Sequence, residues 1–210
     1  MKILAVGMNY REHLKELGNP VPQEPVIFSK PDSSLLEATE KRPSANMPFF
    51  LPDFNSAIHY ETELVIRINR LGKSIAAKYA HRYYDAVTVG LDLTARDLQQ
   101  RLRSEGKPWE LCKGFDQSAV VGSFVPMETL GPIQDIRFSL LRNGESVQQG
   151  HTADMIFPVD DIIEYVSRFY TLKTGDLIYT GTPSGIGSLA VGDHLEGFLE
   201  ARKCLDLRVK

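Results

Sequence analysis

Acidic residues lie inside two of the most apolar segments of this chain. The first segment, IHYETELVIRI at residues 58–68, has a strand pattern and carries Glu61 and Glu63 two positions apart. Side chains two apart on a strand point to the same face, so these two carboxylates would lie side by side. The second segment, residues 86–93, is an apolar strand pattern with Asp92 near its end. Because a buried carboxylate is costly without a partner, the fold must bring a cation to these acids if it buries them.

A hard divalent cation suits three acids on two strands. Mg²⁺, Mn²⁺ and Ca²⁺ prefer oxygen ligands, and Glu61, Glu63 and Asp92 would supply them. Asp97 is an alternative third acid, although it falls in a helical pattern. The competing interpretation places Glu61 and Glu63 on the exposed face of an edge strand, where charged residues are common. Spacing alone does not choose between a metal site and an exposed edge strand.

Short strand patterns outnumber helical patterns along the chain. They are often joined by turn signals, and the Asn143-Gly144 pair is typical of a tight hairpin. Because helices do not alternate regularly with strands, we expect one α+β domain over residues 1–210 with much antiparallel sheet. Residues 31–57 are rich in Pro, Ser and Asn and predict a long loop region with short strands. The predicted strands are residues 2–6, 26–29, 86–93, 136–141, 146–149, 177–180, 194–199 and 205–209, and the predicted helices are residues 10–17, 76–84, 95–104 and 158–169.

Three further segments hold candidate functional residues. NYREHLKE places His13 and Glu16 three apart, on one face of a helix, where the glutamate would make the histidine a better base. YTGTPSGIG, at residues 179–187, offers backbone N–H groups and hydroxyls to an anion, and PWELCKGFD carries Lys113. Each segment also has an ordinary interpretation, namely a solvated helix, a plain turn and a surface lysine.

Charge and composition exclude several classes of protein. The net charge is −3, from 24 basic and 27 acidic residues, so we expect neither nucleic acid nor an anionic membrane as a partner. The opening MKILAVGMNY has too short an apolar run for a signal peptide, and no apolar run approaches the length of a membrane span. The two cysteines form no CxxC pair, which fits a reducing, cytoplasmic compartment.

Eight motifs along the chain carry a resemblance to a known family. They are GMNYREHLKE, PVIFSKP, HYETELVIRI, GLDLTARDLQ, GKPWELCKGFD, NGESVQQGHTADMIF, TGDLIYTGTPSGIG and VGDHLEG. In this order they resemble the fumarylacetoacetate hydrolase family, from about Gly7 to the C-terminus. The chain is most similar to the short acylpyruvate hydrolase and oxaloacetate decarboxylase branch. The resemblance implies an α+β fold with a rolled, multilayer β sheet and few short helices, assembled as a homodimer.

The resemblance also implies a role for each candidate residue. The metal would be Mg²⁺ or Mn²⁺, with Ca²⁺ also able to occupy the site, and its ligands would be Glu61, Glu63 and Asp92. The implied catalytic residues are His13, Glu16 and Lys113. The implied substrate-binding residues are Arg96, Gln99, Thr182 and Lys30. Many relatives have GRNY where this chain has GMNY, so Met8 removes a cation that would meet a substrate carboxylate.

The implied activity is cleavage of a C–C bond in a small 2-oxo acid through a metal-bound enolate. The reaction would be hydrolysis of an acylpyruvate or decarboxylation of oxaloacetate, and either would give pyruvate. Lys113 would stabilise the oxyanion, and His13, oriented by Glu16, would activate a water for hydrolysis. Oxaloacetate keto–enol tautomerisation and isomerisation of a 2-hydroxyhepta-2,4-diene-1,7-dioate use the same enolate and stay as alternatives. The alternative of another class is a non-catalytic protein that binds a metal or a 2-oxo acid.

Overall fold

Short strands form most of the regular structure, as the sequence predicts. The computed structural model describes residues 1–41, 48–55 and 57–210. The strands are β1 (Ile3–Gly7), β2 (Val26–Lys30), β3 (Leu35–Glu37), β4 (Ile58–Tyr60), β5 (Thr62–Ile68), β6 (Tyr84–Asp92), β7 (Thr94–Ala95), β8 (Ala119–Val121), β9 (Val125–Pro126), β10 (Arg137–Arg142), β11 (Glu145–His151), β12 (Leu177–Tyr179), β13 (Gly187–Ser188), β14 (His194–Leu199) and β15 (Arg202–Arg208). The α-helices are α1 (Arg11–Leu17), α2 (Ala77–Ala80), α3 (Arg96–Ser104), α4 (Glu110–Lys113) and α5 (Val159–Phe169).

The strands form one large mixed sheet and two smaller antiparallel sheets. The large sheet has the order β2-β1-β12-β5-β6-β8-β3, with β9 also paired to β6. Its parallel pairs are β1 with β12 and β3 with β8. The second sheet has the order β11-β10-β14-β15, and the third has the order β13-β4-β7. This mixture of mostly antiparallel pairing with a few short helices confirms the predicted α+β class.

The second sheet and α5 share a buried core with the large sheet. Val87 and Val89 of β6 belong to the same buried cluster as Phe138 of β10 and Ile162 of α5. Gly197 of β14 permits a close approach of the two sheets, because a Cβ at this position would lie 2.9 Å from Cγ1 of Val89. The central strands of the large sheet are therefore buried, and charged residues on them are removed from water.

The predicted hairpin is present where the sequence places it. β10 and β11 pair in antiparallel register around Asn143 and Gly144. These two residues have φ values of 54° and 84°, and positive φ at both central positions is what a type I′ hairpin turn requires. The paired strands extend beyond the predicted residues 136–141 and 146–149 to Arg142 and His151.

The helix predicted over residues 76–84 is too long. It covers only Ala77–Ala80, and Tyr84 already belongs to β6, where it pairs with Ile68 of β5. The side chain of Tyr84 is buried and its hydroxyl donates to Oδ1 of Asp160 at 3.3 Å. Sheet pairing and burial thus decide this segment against its local helical pattern. Among the described residues, no helix is long and apolar enough to cross a membrane.

The region predicted as a long loop, residues 31–57, contains some regular structure. It includes β3, which pairs with β8, and an isolated bridge between Phe49 and Val209. Both pairings attach the segment to the rest of the domain. Residues 42–47 and 56 of the predicted loop lie outside the described residues.

We expect Gly90→Ala to destabilise the fold, because Gly90 lies where β6 is packed most tightly. An added Cβ would lie 2.6 Å from Cγ2 of Val65 and 2.7 Å from the carbonyl oxygen of Val120. Overpacking of this kind costs about 1–3 kcal/mol of unfolding free energy, which urea titration followed by fluorescence of Trp109 would measure. In the control, Gly131→Ala, no atom of the described residues other than its chain neighbours would lie within 4 Å of the new Cβ. Equal unfolding midpoints for the two variants would contradict the described packing of β6.

Candidate metal centre and substrate cavity

Three buried carboxylates meet where β5 pairs with β6. Glu63 lies in β5, and Glu61 immediately precedes that strand. Asp92 is the last residue of β6. Glu63 is paired opposite Gly90, and the N–H of Asp92 donates to the carbonyl oxygen of Glu61 at 2.8 Å. One carboxylate oxygen from each acid lies within 4.8 Å of the other two. The acids are 1–6% exposed and β5 lies between β12 and β6, so the interpretation as an exposed edge strand is wrong.

Buried cations surround two of these acids. Nζ of Lys113 donates to Oε2 of Glu61 at 2.8 Å and to Oδ2 of Asp92 at 2.6 Å. Arg96 donates to Oε1 of Glu61 through Nη2. Nζ of Lys30 lies 2.6 Å from Oδ1 of Asp92. Glu61 and Asp92 therefore each lie between two cations, whereas the third acid makes no ion pair with the residues that the structure describes.

These surroundings shift the pKa values of the acids in opposite directions. Burial would raise the pKa of Glu61, but the positive charges of Lys113 and Arg96 outweigh it and hold that pKa well below its usual range. Burial, together with the negative charge of Asp92, raises the pKa of Glu63 well above its ordinary value. Burial would lower the pKa of Lys113, but Asp92 and Glu61 outweigh it and raise that pKa. Glu63 is thus the acid that most lacks a positive partner.

The donor atoms of this cluster fit a hard divalent ion. All three residues offer carboxylate oxygens, which Mg²⁺ and Mn²⁺ prefer. The cation nearest to Oδ1 of Asp92 is Nζ of Lys30 at 2.6 Å. Glu63, a buried carboxylate with no ion pair to the described residues, is therefore the group whose charge an added cation would offset.

Helix α1 brings a histidine to the same site. His13 lies on a cavity that Glu61 and Lys113 also line, and it is 4% exposed. Its Nδ1 lies 3.0 Å from Oε2 of Glu16. An ionised carboxylate only accepts hydrogen bonds, so Nδ1 carries the hydrogen and Nε2 keeps its lone pair in the neutral imidazole. This is the arrangement of a histidine that can accept a proton.

The glycine-rich loop at residues 179–187 binds carboxylates of the protein itself. The N–H of Gly181 donates to Oε2 of Glu63 at 2.6 Å. The N–H of Gly185 donates to Oε1 of Glu16 at 3.2 Å. The sequence suggests that this loop offers N–H groups to an anion, and these two groups meet carboxylates of the buried acid cluster and of α1. The loop therefore positions both parts of the site relative to each other.

Several contacts come from residues that the motifs did not single out. Gln148 of β11 is 2% exposed. Its Nε2 donates to Oγ1 of Thr182 at 2.9 Å, and its Oε1 accepts from the backbone N–H of Thr62 at 2.9 Å. Oγ1 of Thr94 accepts from Nζ of Lys113 at 2.6 Å. Gln148 lies within the motif NGESVQQGHTADMIF, which suggests no individual role for it, and at an inward-facing strand position.

A narrow cavity connects the predicted catalytic and substrate-binding residues. Its lining includes five predicted site residues, namely His13, Glu61, Arg96, Gln99 and Lys113, together with Met8, Asn19, Phe28, Arg103 and Trp109. The space for water-sized molecules is about 40 Å³, close to the volume of one water molecule, about 30 Å³. A larger molecule therefore requires the walls of this cavity to move apart.

The structure separates the four predicted substrate-binding residues into two groups. Arg96 and Gln99 line the cavity, and Nη1 of Arg96 donates to Oε1 of Gln99 at 2.6 Å. Lys30 and Thr182 are not among the described residues that line it. Lys30 contacts Asp92, and Thr182 contacts Gln148. A role for these last two in substrate binding stays a prediction.

We expect Glu63→Gln to weaken metal binding without destabilising the metal-free fold. Without metal the variant should unfold at the same temperature as the wild type or higher, because it removes a buried carboxylate that has no cation partner. Divalent ions at 100 times their Kd should stabilise the wild type by about 2.7 kcal/mol and the variant much less. Thermal unfolding in a chelator and in Mn²⁺ measures both effects, with exposed Glu128→Gln as the matched control. An undiminished Mn²⁺ effect in Glu63→Gln would contradict the ligand assignment.

The sequence matches the family model described as Fumarylacetoacetate (FAA) hydrolase C-terminal over residues 2–210. It is 40% identical over 195 residues to the oxaloacetate tautomerase YcgM of Escherichia coli, covering 92% of this chain and 86% of that protein. It is 41% identical over 196 residues to the mitochondrial oxaloacetate decarboxylase of Dictyostelium discoideum, covering 93% of this chain and 87% of that protein.

The three-dimensional structure has close counterparts among solved structures. One is the fumarylpyruvate hydrolase from Pseudomonas aeruginosa in complex with Mn²⁺ and pyruvate, with a TM-score of 0.92 and 34% identity. The alignment covers 100% of this chain and 89% of that one. This similarity confirms the rolled mixed sheet, with additional sheets and few helices, that the sequence resemblance implies.

Proposed function

Because the chain belongs to the fumarylacetoacetate hydrolase family, we propose that it is a divalent-metal-dependent enzyme that interconverts the keto and enol forms of oxaloacetate or a closely related 2-oxo acid. The observation that carries this proposal is the buried cluster of Glu61, Glu63 and Asp92, beside Lys113 and in one cavity with His13. An ion with a purely structural role has no use for a base on the same cavity. The name of the Escherichia coli relative supports the choice of oxaloacetate.

The charges of the site suit a 2-oxo acid that becomes an enolate. Lys30, Arg96 and Lys113 carry as many positive charges as the three carboxylates carry negative charges when all are ionised. When bound, Mg²⁺ or Mn²⁺ held by the three acids would supply a Lewis acid for the 2-oxo oxygen. The site would then have an excess of positive charge, and the substrate carboxylate and the enolate oxygen would offset it.

Lys113 and Arg96 would orient the substrate and stabilise its negative charge. The raised pKa of Lys113, which its contacts with Asp92 and Glu61 cause against the effect of burial, keeps the ammonium group charged. A fixed charge aimed at the developing oxyanion lowers the barrier because it needs no reorganisation during the reaction. Gln99 holds the guanidinium of Arg96 in place at 2.6 Å.

His13 would move the proton at C3 of the substrate. With Nδ1–H held by Glu16, the Nε2 lone pair removes a hydrogen from C3, and the electron pair of that bond forms the C2–C3 double bond. Protonation of the 2-oxo oxygen then completes the enol, which has the same composition as the keto form. The reverse sequence returns the proton to C3. One base that both accepts and returns the proton serves both directions.

Cleavage of a C–C bond is the second candidate, and the His13–Glu16 pair favours it. The pair can take a proton from a water whose oxygen attacks the distal carbonyl of an acylpyruvate. The bond between C3 and that carbonyl then breaks, and a carboxylic acid and pyruvate leave. The similarity to the fumarylpyruvate hydrolase of Pseudomonas aeruginosa supports this candidate. Decarboxylation of oxaloacetate would use the same site without the water.

We also propose that the enzyme forms a homodimer. Phe54 is 53% exposed and Leu111 is 67% exposed, and they line one shallow groove with Leu98 and Phe115. Arg101 and Glu110 also line this groove, and exposed apolar patches rimmed by polar residues mark protein interfaces. Sedimentation velocity should show a dimer for the wild type and a monomer for a Phe54→Glu, Leu111→Glu double variant. A monomeric wild type at micromolar concentration would contradict the dimer.

The test of the function is turnover of oxaloacetate and acetylpyruvate, each with Mg²⁺ and with a chelator. We expect the enol absorbance of oxaloacetate to relax faster with enzyme and Mg²⁺, and the chelator to abolish this effect. Pyruvate release from acetylpyruvate would favour the cleavage reaction. Binding of a 2-oxo acid without any turnover would support a non-catalytic binding protein and contradict the enzyme.

The same assay with His13→Ala tests the proton transfer. General acid–base catalysis contributes about 10²–10⁴-fold, so kcat should fall by at least about 100-fold. His81→Ala is the matched control, because His81 is exposed and does not line the cavity. Wild-type kcat in His13→Ala would exclude His13 as the base.

A further inference from the structure

A glutamine of the second sheet reaches from that sheet to the candidate metal centre. Gln148 of β11 is 2% exposed, whereas the next side chain along the strand, Gln149, is exposed. The register of β10 and β11 shifts between Leu140 and Leu141, which leaves Val147 as an extra residue on β11. Such a β-bulge redirects side chains, and bulges are common beside functional sites.

Both ends of the Gln148 amide are hydrogen-bonded. Its Oε1 accepts from the backbone N–H of Thr62 at 2.9 Å. Its Nε2 donates to Oγ1 of Thr182 at 2.9 Å and to the carbonyl oxygen of Pro183 at 3.0 Å. Because a backbone N–H only donates and a carbonyl oxygen only accepts, these backbone partners fix which end of the amide carries the oxygen. Gln148 thus joins β5 to the loop at residues 179–187.

These bonds continue a series of contacts between β5 and the chain that follows β12. Regular pairing of the two strands ends at Tyr179. The N–H and the hydroxyl of Thr180 both donate to the carbonyl oxygen of Leu64, at 3.1 and 2.8 Å. The N–H of Gly181 then donates to Oε2 of Glu63 at 2.6 Å. The glutamine connects the next residue on each chain, so it is the last link of this series.

The link replaces strand pairing at a point where the two chains diverge. Gly181 has a φ of 100°, so the chain after β12 leaves the extended conformation there. Thr62 is completely buried, and a buried N–H without an acceptor is unfavourable. Gln148 supplies that acceptor. Since Thr62 lies between Glu61 and Glu63, a side chain bonded to its N–H affects the position of both acids.

The loop also lies directly against the bulge. A Cβ at Gly185 would lie 2.4 Å from the carbonyl oxygen of Val147, so only a glycine permits this approach. The N–H of Gly185 donates to Glu16 of α1. The loop whose N–H groups bind Glu63 and Glu16 is therefore held to β11 at two points, the bulge and the amide of Gln148.

We propose that Gln148 is a positioning residue of the metal centre, which holds the loop at residues 179–187 against β5 and so fixes the contact between Gly181 and Glu63. The inference rests on the proposed function, which assigns Glu61, Glu63 and Asp92 to a divalent ion. Gln148 is not among the described residues that line the substrate cavity. It acts on the site through β5 and the loop.

Gln148→Met tests this role, because methionine is also long and unbranched but is only a weak acceptor. The substitution leaves the charge of the site unchanged, so a change in metal affinity reports on geometry. We expect the Kd for Mn²⁺, measured by electron paramagnetic resonance on the full chain, to rise about 10- to 100-fold. In the metal-free protein, the amide hydrogen of Gly181 should exchange several-fold faster, because the loop is no longer held against Glu63.

Gln149→Met is the matched control, since it makes the same change at the adjacent residue, whose exposed side chain donates to Oγ of Ser146. It should leave the Mn²⁺ affinity and the exchange of Gly181 as in the wild type. Ile162→Val is the stability control, because it shortens a buried side chain of α5. It should lower the unfolding temperature without changing either quantity.

Wild-type Mn²⁺ affinity in Gln148→Met, or unchanged exchange of Gly181, would overturn the proposal and leave Gln148 as a residue that only contributes stability. If Gln148→Met does not fold, Gln148→Asn replaces it, because its amide is one methylene too short to reach both partners. A wild type that binds no Mn²⁺ would contradict the proposed function. The exchange of Gly181 in the metal-free protein would still decide the role of Gln148.

Discussion

The repulsion among three carboxylates buried in the middle of a sheet is the constraint on which the rest of this structure depends. Pairing of β5 with β6 brings Glu61, Glu63 and Asp92 together, and the covering sheet and α5 remove those strands from water. Burial of like charges is unfavourable unless opposite charges accompany them. Positive groups therefore converge on the acids from three other segments of the chain.

This convergence makes the candidate site a junction of the fold. Lys30 of β2 contacts Asp92 and also donates to the carbonyl oxygen of Ser118 at 3.1 Å. Lys113 at the end of α4 joins Glu61 to Asp92. The loop at residues 179–187 donates the backbone N–H of Gly181 to Glu63. The same contacts that orient the acids thus attach β2, α4 and this loop to the central strands, and chemistry and stability share one set of residues.

The sequence predicts the parts of this arrangement that local pattern determines. Two acids on one face of an apolar strand, with a third in another apolar strand, indicate a shared site, and Asn143-Gly144 indicates its hairpin. The length of α2 does not follow from local pattern, because the pairing of Tyr84 with Ile68 depends on residues distant in sequence. Arg103 and Asn19 also give no signal. They are ordinary polar residues of a helix and a loop until the fold brings them into contact on the lining of one cavity.

The central claim is that the three acids hold a divalent ion, and anomalous diffraction from crystals grown with Mn²⁺ tests it most directly. The account predicts one strong anomalous peak between the carboxylates of Glu61, Glu63 and Asp92. It predicts no ion at His194, Glu196 and Asp206, the other group of potential ligands in the described chain, because Lys203 pairs with both of its acids and this group has no counterpart of the unpaired Glu63. A peak at that second group, with none at the buried acids, would contradict the account.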